Sequence, residues 1–211
     1  MTVDIYETSR ETVKGLIASG ADIGVIGGWA VWAYNPYRYS MDIDVVVRPE
    51  DLWKVRKELR GLGFTETAGG HLRKKGFKKA VEGGTIEVDA YDGMIGPFRA
   101  VDVLKSSARK ELFGHMTKVA SPTDLLILKL HALTSRQESG KGQKDISDLI
   151  ALLLVARGEI DLVKVRKAVP KKALKDNIAL LTASYQQTAR FYPLSMAEYK
   201  RLKAALQKWA L

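Results

Sequence analysis

The chain has 211 residues, of which 46% are hydrophobic and 27% are charged, so it is long enough for a sizeable core and is not a disordered, collagen-like or coiled-coil protein. It contains no cysteine, which excludes a disulfide scaffold, a cysteine-ligated zinc site and a thiol nucleophile. The net charge is +10, and residues 161–211 contribute +8 of it, with 11 Lys and Arg against 3 Asp and Glu.

The first half of the chain is predicted to alternate helices with strands. Apolar residues at helical spacing, short β-branched runs and Gly or Pro breaks place these elements. In chain order they are a helix over 4–19, a buried strand Ile23–Ile26, a short helix over 29–34 with Trp29 and Trp32 in the core, a central strand over 42–47, a helix over 49–59, and strands over 71–77 and 85–91.

The last of these strands has one polar and one apolar face, because Thr85, Glu87, Asp89 and Tyr91 alternate with Ile86, Val88 and Ala90. From Ser121 onward only helices are predicted, over 122–133, 144–156, 161–169, 174–191 and 195–210. We therefore expect a catalytic domain over residues 1–119 and a helical domain over residues 120–211.

The segment Asp42-Ile43-Asp44 is the feature least easily explained by folding. On a strand the two carboxylates lie on one face about 6 to 7 Å apart, where like charges repel by roughly 2 to 3 kcal/mol. A divalent cation between them removes this repulsion, and hard oxygen ligands suit Mg²⁺ or Mn²⁺. For an isolated Asp-x-Asp, the alternative is that Asp42 caps a turn and Asp44 pairs with an arginine such as Arg38 or Arg48.

A glycine pair, Gly27-Gly28, stands between a buried strand and a short helix. Without a Cβ, such a turn lets a phosphate approach backbone N–H groups at the N-terminus of the helix. No Gly-Lys-Ser/Thr follows, so this is not a Walker A loop, and the spacing does not match a dinucleotide-binding motif either.

Gly27-Gly28, 13 intervening residues and Asp42-Ile43-Asp44 together resemble the DNA polymerase β-type nucleotidyltransferase superfamily. Gly27-Gly28-Trp29-Ala30 and Ser40-Met41-Asp42-Ile43-Asp44 are also similar to lincosamide-type transferases and AbiEii-type toxins. The resemblance implies an α/β (α+β) fold, with a mixed sheet flanked by helices and a C-terminal helical lobe. It also implies two Mg²⁺ or Mn²⁺ ions and attack by a hydroxyl group on the α-phosphate of an NTP, with Gly27, Gly28 and Ser40 at the nucleotide.

The third metal-binding carboxylate of the superfamily is expected on the strand over 85–91. Glu87 and Asp89 share its polar face, so spacing alone does not choose between them. The hydrophobic-acid-hydrophobic pattern of the superfamily is best matched by Val88-Asp89-Ala90. Asp42, Asp44 and Asp89 are therefore the expected catalytic residues and metal ligands, with Glu87 as the fallback.

Lys129 and Arg136 share one face of a predicted helix, which from spacing alone is typical of a solvated surface. The stretch from Ser121 to Leu149 resembles AbiEii-type proteins, which implies that Lys129 contacts the triphosphate and that Asp145 supports the site. The glycine-rich segment Ser139-Gly140-Lys141-Gly142 is interpreted as a mobile loop, which leaves the place of Arg136 open.

The acceptor is predicted from charge and resemblance. The basic C-terminal helices favour a nucleic-acid end, as in tRNA, although basic helices often bind nothing. A small antibiotic-like hydroxyl compound and an NTP-binding module without turnover are the alternatives. The resemblance also implies a possible antitoxin partner.

The sequence also bears on where the protein works. The apolar runs are far shorter than the roughly 20 residues that cross a bilayer, and the N-terminus does not match a signal peptide. We therefore expect a cytoplasmic protein without a membrane partner. A composition rich in Lys, Arg and Glu, with 2 Asn and 5 Gln, leans towards a thermophile.

Overall fold

The computed structural model describes residues 5–67, 74–136 and 139–209. These residues form two compact units, one ending at Ser121 and the other beginning at Pro122. No helix among the described residues combines the length and the apolar character needed to cross a membrane.

The first unit contains four α-helices and nine strands among its described residues. Its helices are α1 (Ile5–Ala18), α2 (Gly27–Tyr34), α3 (Leu52–Gly61) and α4 (Ala100–Ser106). Its strands are β1 (Ile23–Ile26), β2 (Ile43–Val47), β3 (Thr65–Glu66), β4 (Lys75–Val81), β5 (Gly84–Tyr91), β6 (Met94–Ile95), β7 (Phe98–Arg99), β8 (Ala108–Leu112) and β9 (His115–Val119).

A seven-stranded mixed sheet organises this unit, in the order β3-β4-β5-β2-β1-β9-β8. The pairs β1–β9 and β2–β5 are parallel, and the other pairs are antiparallel. Strands β1 and β2 lie at the centre, where their β-branched side chains are buried. Helices α1, α2 and α4 pack against the sheet, which confirms the predicted mixed sheet flanked by helices.

The second unit is helical, as predicted. It consists of α5 (Pro122–Arg136), α6 (Gly140–Ala156), α7 (Leu162–Ala168), α8 (Lys171–Leu181), α9 (Tyr185–Phe191) and α10 (Met196–Trp209). The helix predicted over 174–191 is two helices, because α8 ends at Leu181 and Ser184 caps a new helix by accepting a hydrogen bond from the Gln187 N–H.

Three further boundaries differ from the prediction. Helix α2 begins at Gly27, so the glycine pair forms its first turn instead of preceding it. Asp42 precedes strand β2, which begins at Ile43. The segment interpreted as a mobile loop belongs to α6, since Ser139 accepts a hydrogen bond from the Gly142 N–H and caps a helix that begins at Gly140. The strand predicted over 71–77 lies partly outside the described residues, and β4 begins at Lys75.

Candidate active site

Two carboxylates meet on neighbouring strands at the centre of the sheet. Asp44 on β2 is the register partner of Asp89 on the parallel strand β5. Paired residues of adjacent strands point to the same side of a sheet, so both carboxylates lie on one face. Both residues are half-buried, while Ile86, Val88 and Ala90 on the opposite face of β5 are fully buried. This is the polar and apolar division predicted for that strand.

The first acid of the motif is held by the loop that precedes β2. The hydroxyl of the buried Ser40 donates to the backbone carbonyl of Asp42 at 2.9 Å. The hydroxyl of Ser9 in α1 donates to the Ser40 carbonyl at 3.0 Å, and the Met41 carbonyl lies 3.3 Å away as a second acceptor. Ser9 also accepts a bond from the indole N–H of Trp29, at 3.3 Å. One fully buried hydroxyl thus joins α1 and α2 to the loop of the acids.

The glycine pair packs directly on the acidic motif. Gly27 has a φ of +67°, and a Cβ built on it would lie 2.3 Å from Oδ2 of Asp44. A Cβ on Gly28 would lie 2.8 Å from the hydroxyl oxygen of Ser40. The space above both glycines is therefore occupied by Asp44 and Ser40. The absence of Cβ atoms lets these side chains approach the first turn of α2.

Arg38 supplies a cation at the same place. Its Nη2 would lie 3.8 Å from a Cβ on Gly28, and its Nε and Nη1 donate to the Tyr37 hydroxyl at 2.8 Å and to the Tyr39 carbonyl at 3.2 Å. Arg48, the other arginine considered as a partner of Asp44, pairs with Asp22 at 2.7 Å instead. A guanidinium at the N-terminus of a helix suits a phosphate group.

The two candidates for the third carboxylate have different neighbours. Lys74 places its ammonium 2.5 Å from Oδ2 of Asp89. Glu87 pairs with Lys78 across the β4–β5 ladder at 2.7 Å. The Glu87 carboxylate raises the pKa of Lys78 by accepting a hydrogen bond and by its negative charge. Asp89, and not Glu87, is thus the acid beside Asp44 in the strand register.

The chemistry of these donors fits a hard divalent cation. Asp42, Asp44 and Asp89 offer carboxylate oxygens, and two of them are side by side on one face of the sheet. Among the described residues, no three His, Asp or Glu side chains stand close enough together to hold a metal ion. The ammonium of Lys74 lies beside Asp89 in this structure.

The helical unit contains a buried network around Lys129. Its ammonium lies 3.0 Å from Asp145 and 2.6 Å from Asp148, and Arg136 pairs with Asp145 at 2.7 Å. The side chains of both aspartates are at most 2% exposed. Two cations therefore face two carboxylates. Among the described residues, the Lys129 ammonium donates to two acceptors and has a third N–H. Arg136, whose place the sequence left open, contacts the same aspartate as Lys129.

Burial alone would lower the pKa of Lys129, because it penalises the charged form. The negative charges of Asp148 and Asp145 and their hydrogen bonds outweigh burial, so that the pKa is raised. Lys129 is therefore a charged ammonium at neutral pH.

Sequence reasoning missed three residues of the first unit. Ser9 is 31 positions from Ser40, so no local pattern connects them. Arg38 was considered only as a partner for Asp44, although its position between the glycine pair and the acids was a usable signal. Lys74 falls within the strand predicted over 71–77, and only the ladder of β4 with β5 shows which carboxylate it faces.

The chain matches the sequence profile of one known protein family. The profile of the family described as "Nucleotidyl transferase AbiEii toxin, Type IV TA system" matches residues 25–208. No curated protein sequence matches the chain.

Solved structures share the fold at low sequence identity. An antigenic nucleotidyltransferase-like protein from Paracoccidioides brasiliensis has a TM-score of 0.56 and 19% identity, over 93% of this chain and 97% of that one. JHP933 from Helicobacter pylori has a TM-score of 0.58 and 12% identity, over 100% and 94% of the two chains. The antibiotic-resistance factor ANT(2'')-Ia has a TM-score of 0.58 and 14% identity, over 83% and 96%.

Proposed function

Because the chain belongs to the AbiEii family of nucleotidyl transferase toxins and is a nucleotidyltransferase, we propose that it transfers a nucleoside monophosphate from an NTP to the hydroxyl end of an RNA, with tRNA as the acceptor. The observation that carries the proposal is the register pairing of Asp44 with Asp89, next to a glycine pair that packs on Asp44 and Ser40. An antitoxin protein is the further partner that the family suggests.

Each residue of the site has a proposed role. Asp42, Asp44 and Asp89 would hold two Mg²⁺ or Mn²⁺ ions, which when bound stabilise the entering and the leaving oxygens. Asp89 also accepts the proton of the incoming hydroxyl group as a general base. Gly27, Gly28 and Ser40 shape the turn at the nucleotide, and Arg38 contacts its phosphates.

Lys129 and Asp145 are proposed to act in nucleotide binding from the second unit. The remaining N–H of Lys129 is a donor for a phosphate oxygen, and Asp145 and Asp148 keep the ammonium charged and in place. Asp145 would act through Lys129 and not by contact with the nucleotide, since a carboxylate repels phosphate.

RNA is favoured as the acceptor by the cations of the helical unit. Within the described residues, none of the five exposed cations around the α7–α8 corner forms an ion pair: Arg166, Lys167, Lys171, Lys172 and Lys175. Lys171 and Lys172 occupy the first turn of α8, where the helix dipole disfavours positive charge by about 0.3 to 1 kcal/mol per residue. Folding gives no reason for such an arrangement, whereas the phosphates of an RNA would neutralise it.

The test is to incubate the protein with each labelled NTP, with Mg²⁺ or Mn²⁺, and with total tRNA. We expect wild type to label tRNA and Asp42→Ala to leave it unlabelled. Label found only on a small molecule or on protein would show that RNA is not the acceptor. NTP binding without transfer of label or release of pyrophosphate would indicate an NTP-binding module without turnover.

A salt titration tests the basic corner separately. Reversing Lys171 and Lys172 to Glu should weaken tRNA binding and reduce the slope of log Kd against log salt by roughly 1.4 to 1.8. Reversing the exposed Lys57 and Arg60 of α3 makes the same charge change and serves as the control. Equal effects of the two pairs would show that the corner does not hold RNA.

A further inference from the structure

Beside the candidate active site lies a cluster of aromatic rings that its chemistry does not use. We propose that Tyr39, backed by Trp32 and flanked by Tyr6, is a stacking platform for a nucleobase. The base belongs either to the bound nucleotide or to the end of the acceptor RNA. The platform rests on the proposed function, since it serves the ligands of that site.

The rings form one continuous cluster. Tyr39 stacks on Trp32, with ring centroids 6.3 Å apart and planes inclined by 21°. Tyr6 contacts Tyr39 from α1 with ring centroids 5.9 Å apart, and the Trp29 and Tyr39 centroids are 6.0 Å apart. The ring centroid of Phe113 lies 4.9 Å from that of Trp32. Because Trp29 is fully buried, the cluster is fixed to the core and its outer rings are held in place.

The outer rings face solvent. Tyr39 is 51% exposed and its neighbour Tyr6 is 40% exposed. A single exposed aromatic residue needs no explanation, but two adjacent rings leave apolar surface in water at a cost of roughly 25 cal/mol per Å². An aromatic surface of this kind marks a site where a ligand completes the burial.

The position of Tyr39 indicates the ligand. It immediately precedes Ser40 and is three residues from Asp42, so its Cα lies within about 11 Å of the Cα of that acid. Arg38, the next residue on the other side, lies at the first turn of α2. Aromatic faces next to cations are the combination by which proteins bind single-stranded nucleic acids and nucleotides, since each base has a flat face and each phosphate a negative charge.

A nucleobase fits this surface better than a protein partner. Protein interfaces also use Tyr, Trp and Arg as anchors, so these residue types alone do not choose between a nucleobase and a protein. Here Tyr39 shares one loop, residues 37–42, with Arg38 and Asp42, whereas the other rings of the cluster come from α1, from α2 and from the turn between β8 and β9. A nucleotide or an RNA end must reach Asp42 for the proposed transfer, which favours a base at Tyr39. A protein that covered the acid would instead act as an inhibitor.

Binding of paired ligands, each measured alone with Mg²⁺, tests the platform. The first pair is an NTP and ribose 5′-triphosphate, which lacks the base. The second pair is a short oligoribonucleotide with a normal 3′ end and the same strand with an abasic 3′ end. Wild type is compared with Tyr39→Ala and Tyr39→Phe, and with Trp53→Ala as the control, because Trp53 on α3 is 58% exposed and outside the cluster.

We expect Tyr39→Ala to weaken binding of one base-containing ligand by roughly 5- to 100-fold. Its baseless counterpart should be unaffected, and Tyr39→Phe and Trp53→Ala should bind like wild type. A loss in the NTP pair assigns the base to the nucleotide, and a loss in the oligonucleotide pair assigns it to the acceptor. Unchanged binding of all ligands, or equal weakening of both members of a pair, would overturn the platform.

A spectroscopic measurement covers the case in which Tyr39→Ala does not fold. In wild type a base stacked at Tyr39 should quench the fluorescence of Trp32, and the baseless ligand should not. The quenching should decrease in Trp32→Phe and persist in part through Trp29, which also contacts Tyr39. Equal quenching by both members of each pair contradicts the proposal. If tRNA is never labelled while binding still depends on the base, the proposed function fails and the platform stands.

Discussion

Gly27 and Asp44 lie so close together that a methyl group on the glycine would be 2.3 Å from a carboxylate oxygen of the aspartate. This contact joins the first turn of α2 to the central strand β2. The glycine pair and the acids, which are separate motifs in the sequence, are therefore one packed unit in space.

The first prediction concerns Gly27→Ala. Gly20 has a similar φ of +72°, but a Cβ added there would have nothing within 4 Å, so Gly20→Ala isolates the backbone strain. We expect Gly20→Ala to lower the free energy of unfolding by about 1 kcal/mol. Gly27→Ala should lose a further ~1 to 3 kcal/mol from overpacking and most of the transferase activity. Urea unfolding and label transfer measure both, and equal losses in the two variants would contradict the close contact.

The second prediction concerns Ser9→Ala. Removing the hydroxyl leaves the buried carbonyl of Ser40 without its donor, which costs roughly 1 to 3 kcal/mol. Because the same loop carries Asp42, transfer should also slow in protein that is still folded. Ser19→Ala, which removes a half-buried hydroxyl bonded to the Leu16 carbonyl in the turn after α1, is the control. A Ser9 variant with wild-type rates and stability would exclude this role.

The third prediction concerns Lys74→Met. If Asp89 is a metal ligand, the Lys74 ammonium must leave it before a cation binds, so the variant should bind Mn²⁺ several-fold more tightly in calorimetry. Lys78→Met removes the partner of Glu87, which lies on β5 together with Asp89, and should have little effect on Mn²⁺ binding. Tighter binding in the Lys78 variant alone would identify Glu87 as the ligand.

The fourth prediction concerns Lys129→Met. The change leaves Asp145 and Asp148 buried and without their shared cation, so the free energy of unfolding should fall by about 3 to 5 kcal/mol. Arg136→Met removes a side chain that is 39% exposed and should cost less than about 1 kcal/mol. If urea unfolding gave similar losses of free energy for Lys129→Met and Arg136→Met, the stability of the network would not depend mainly on Lys129.

The same network gives a pH dependence. The pKa of Lys129 is raised above its ordinary value of 10.5 by the two carboxylates, despite burial. Its contribution to stability is therefore complete below that value and is lost as the pH rises through the raised pKa. The urea concentration at the unfolding midpoint of wild type should decrease as the pH rises through this alkaline range. The midpoint of Lys129→Met should decrease less.

Periodicity and short motifs predicted the parts of the chain that depend on neighbouring residues. The alternation along β5 placed Asp89 on a polar face, and the β-branched run Ile43–Val47 gave the central strand. The region from residue 92 to 120 was not predicted. Within it, β6 and β7 have two residues each and carry no measurable period. Ser139 and Gly140 were interpreted as a loop because glycine disfavours helices, but a serine cap allows the helix to begin there.

The pairing of residues that are distant in sequence could not be predicted from the sequence. Which of Glu87 and Asp89 lies beside Asp44 depends on the β2–β5 register, which a single-residue slip would alter. Lys74 and Ser9 reach the site through strand pairing and helix packing for the same reason.

The strand order of the sheet also decides when the site can exist during synthesis. One edge of strand β1 pairs with β9, so Val25 has its register partner only after Val119 has been synthesised. Asp44 likewise has its partner only after Asp89 has been synthesised. Closing such long loops is slow and unfavourable until the contacts form. A nascent chain that ends before residue 119 therefore lacks the β1–β9 pairing, so the sheet that carries the candidate acids is completed late in synthesis.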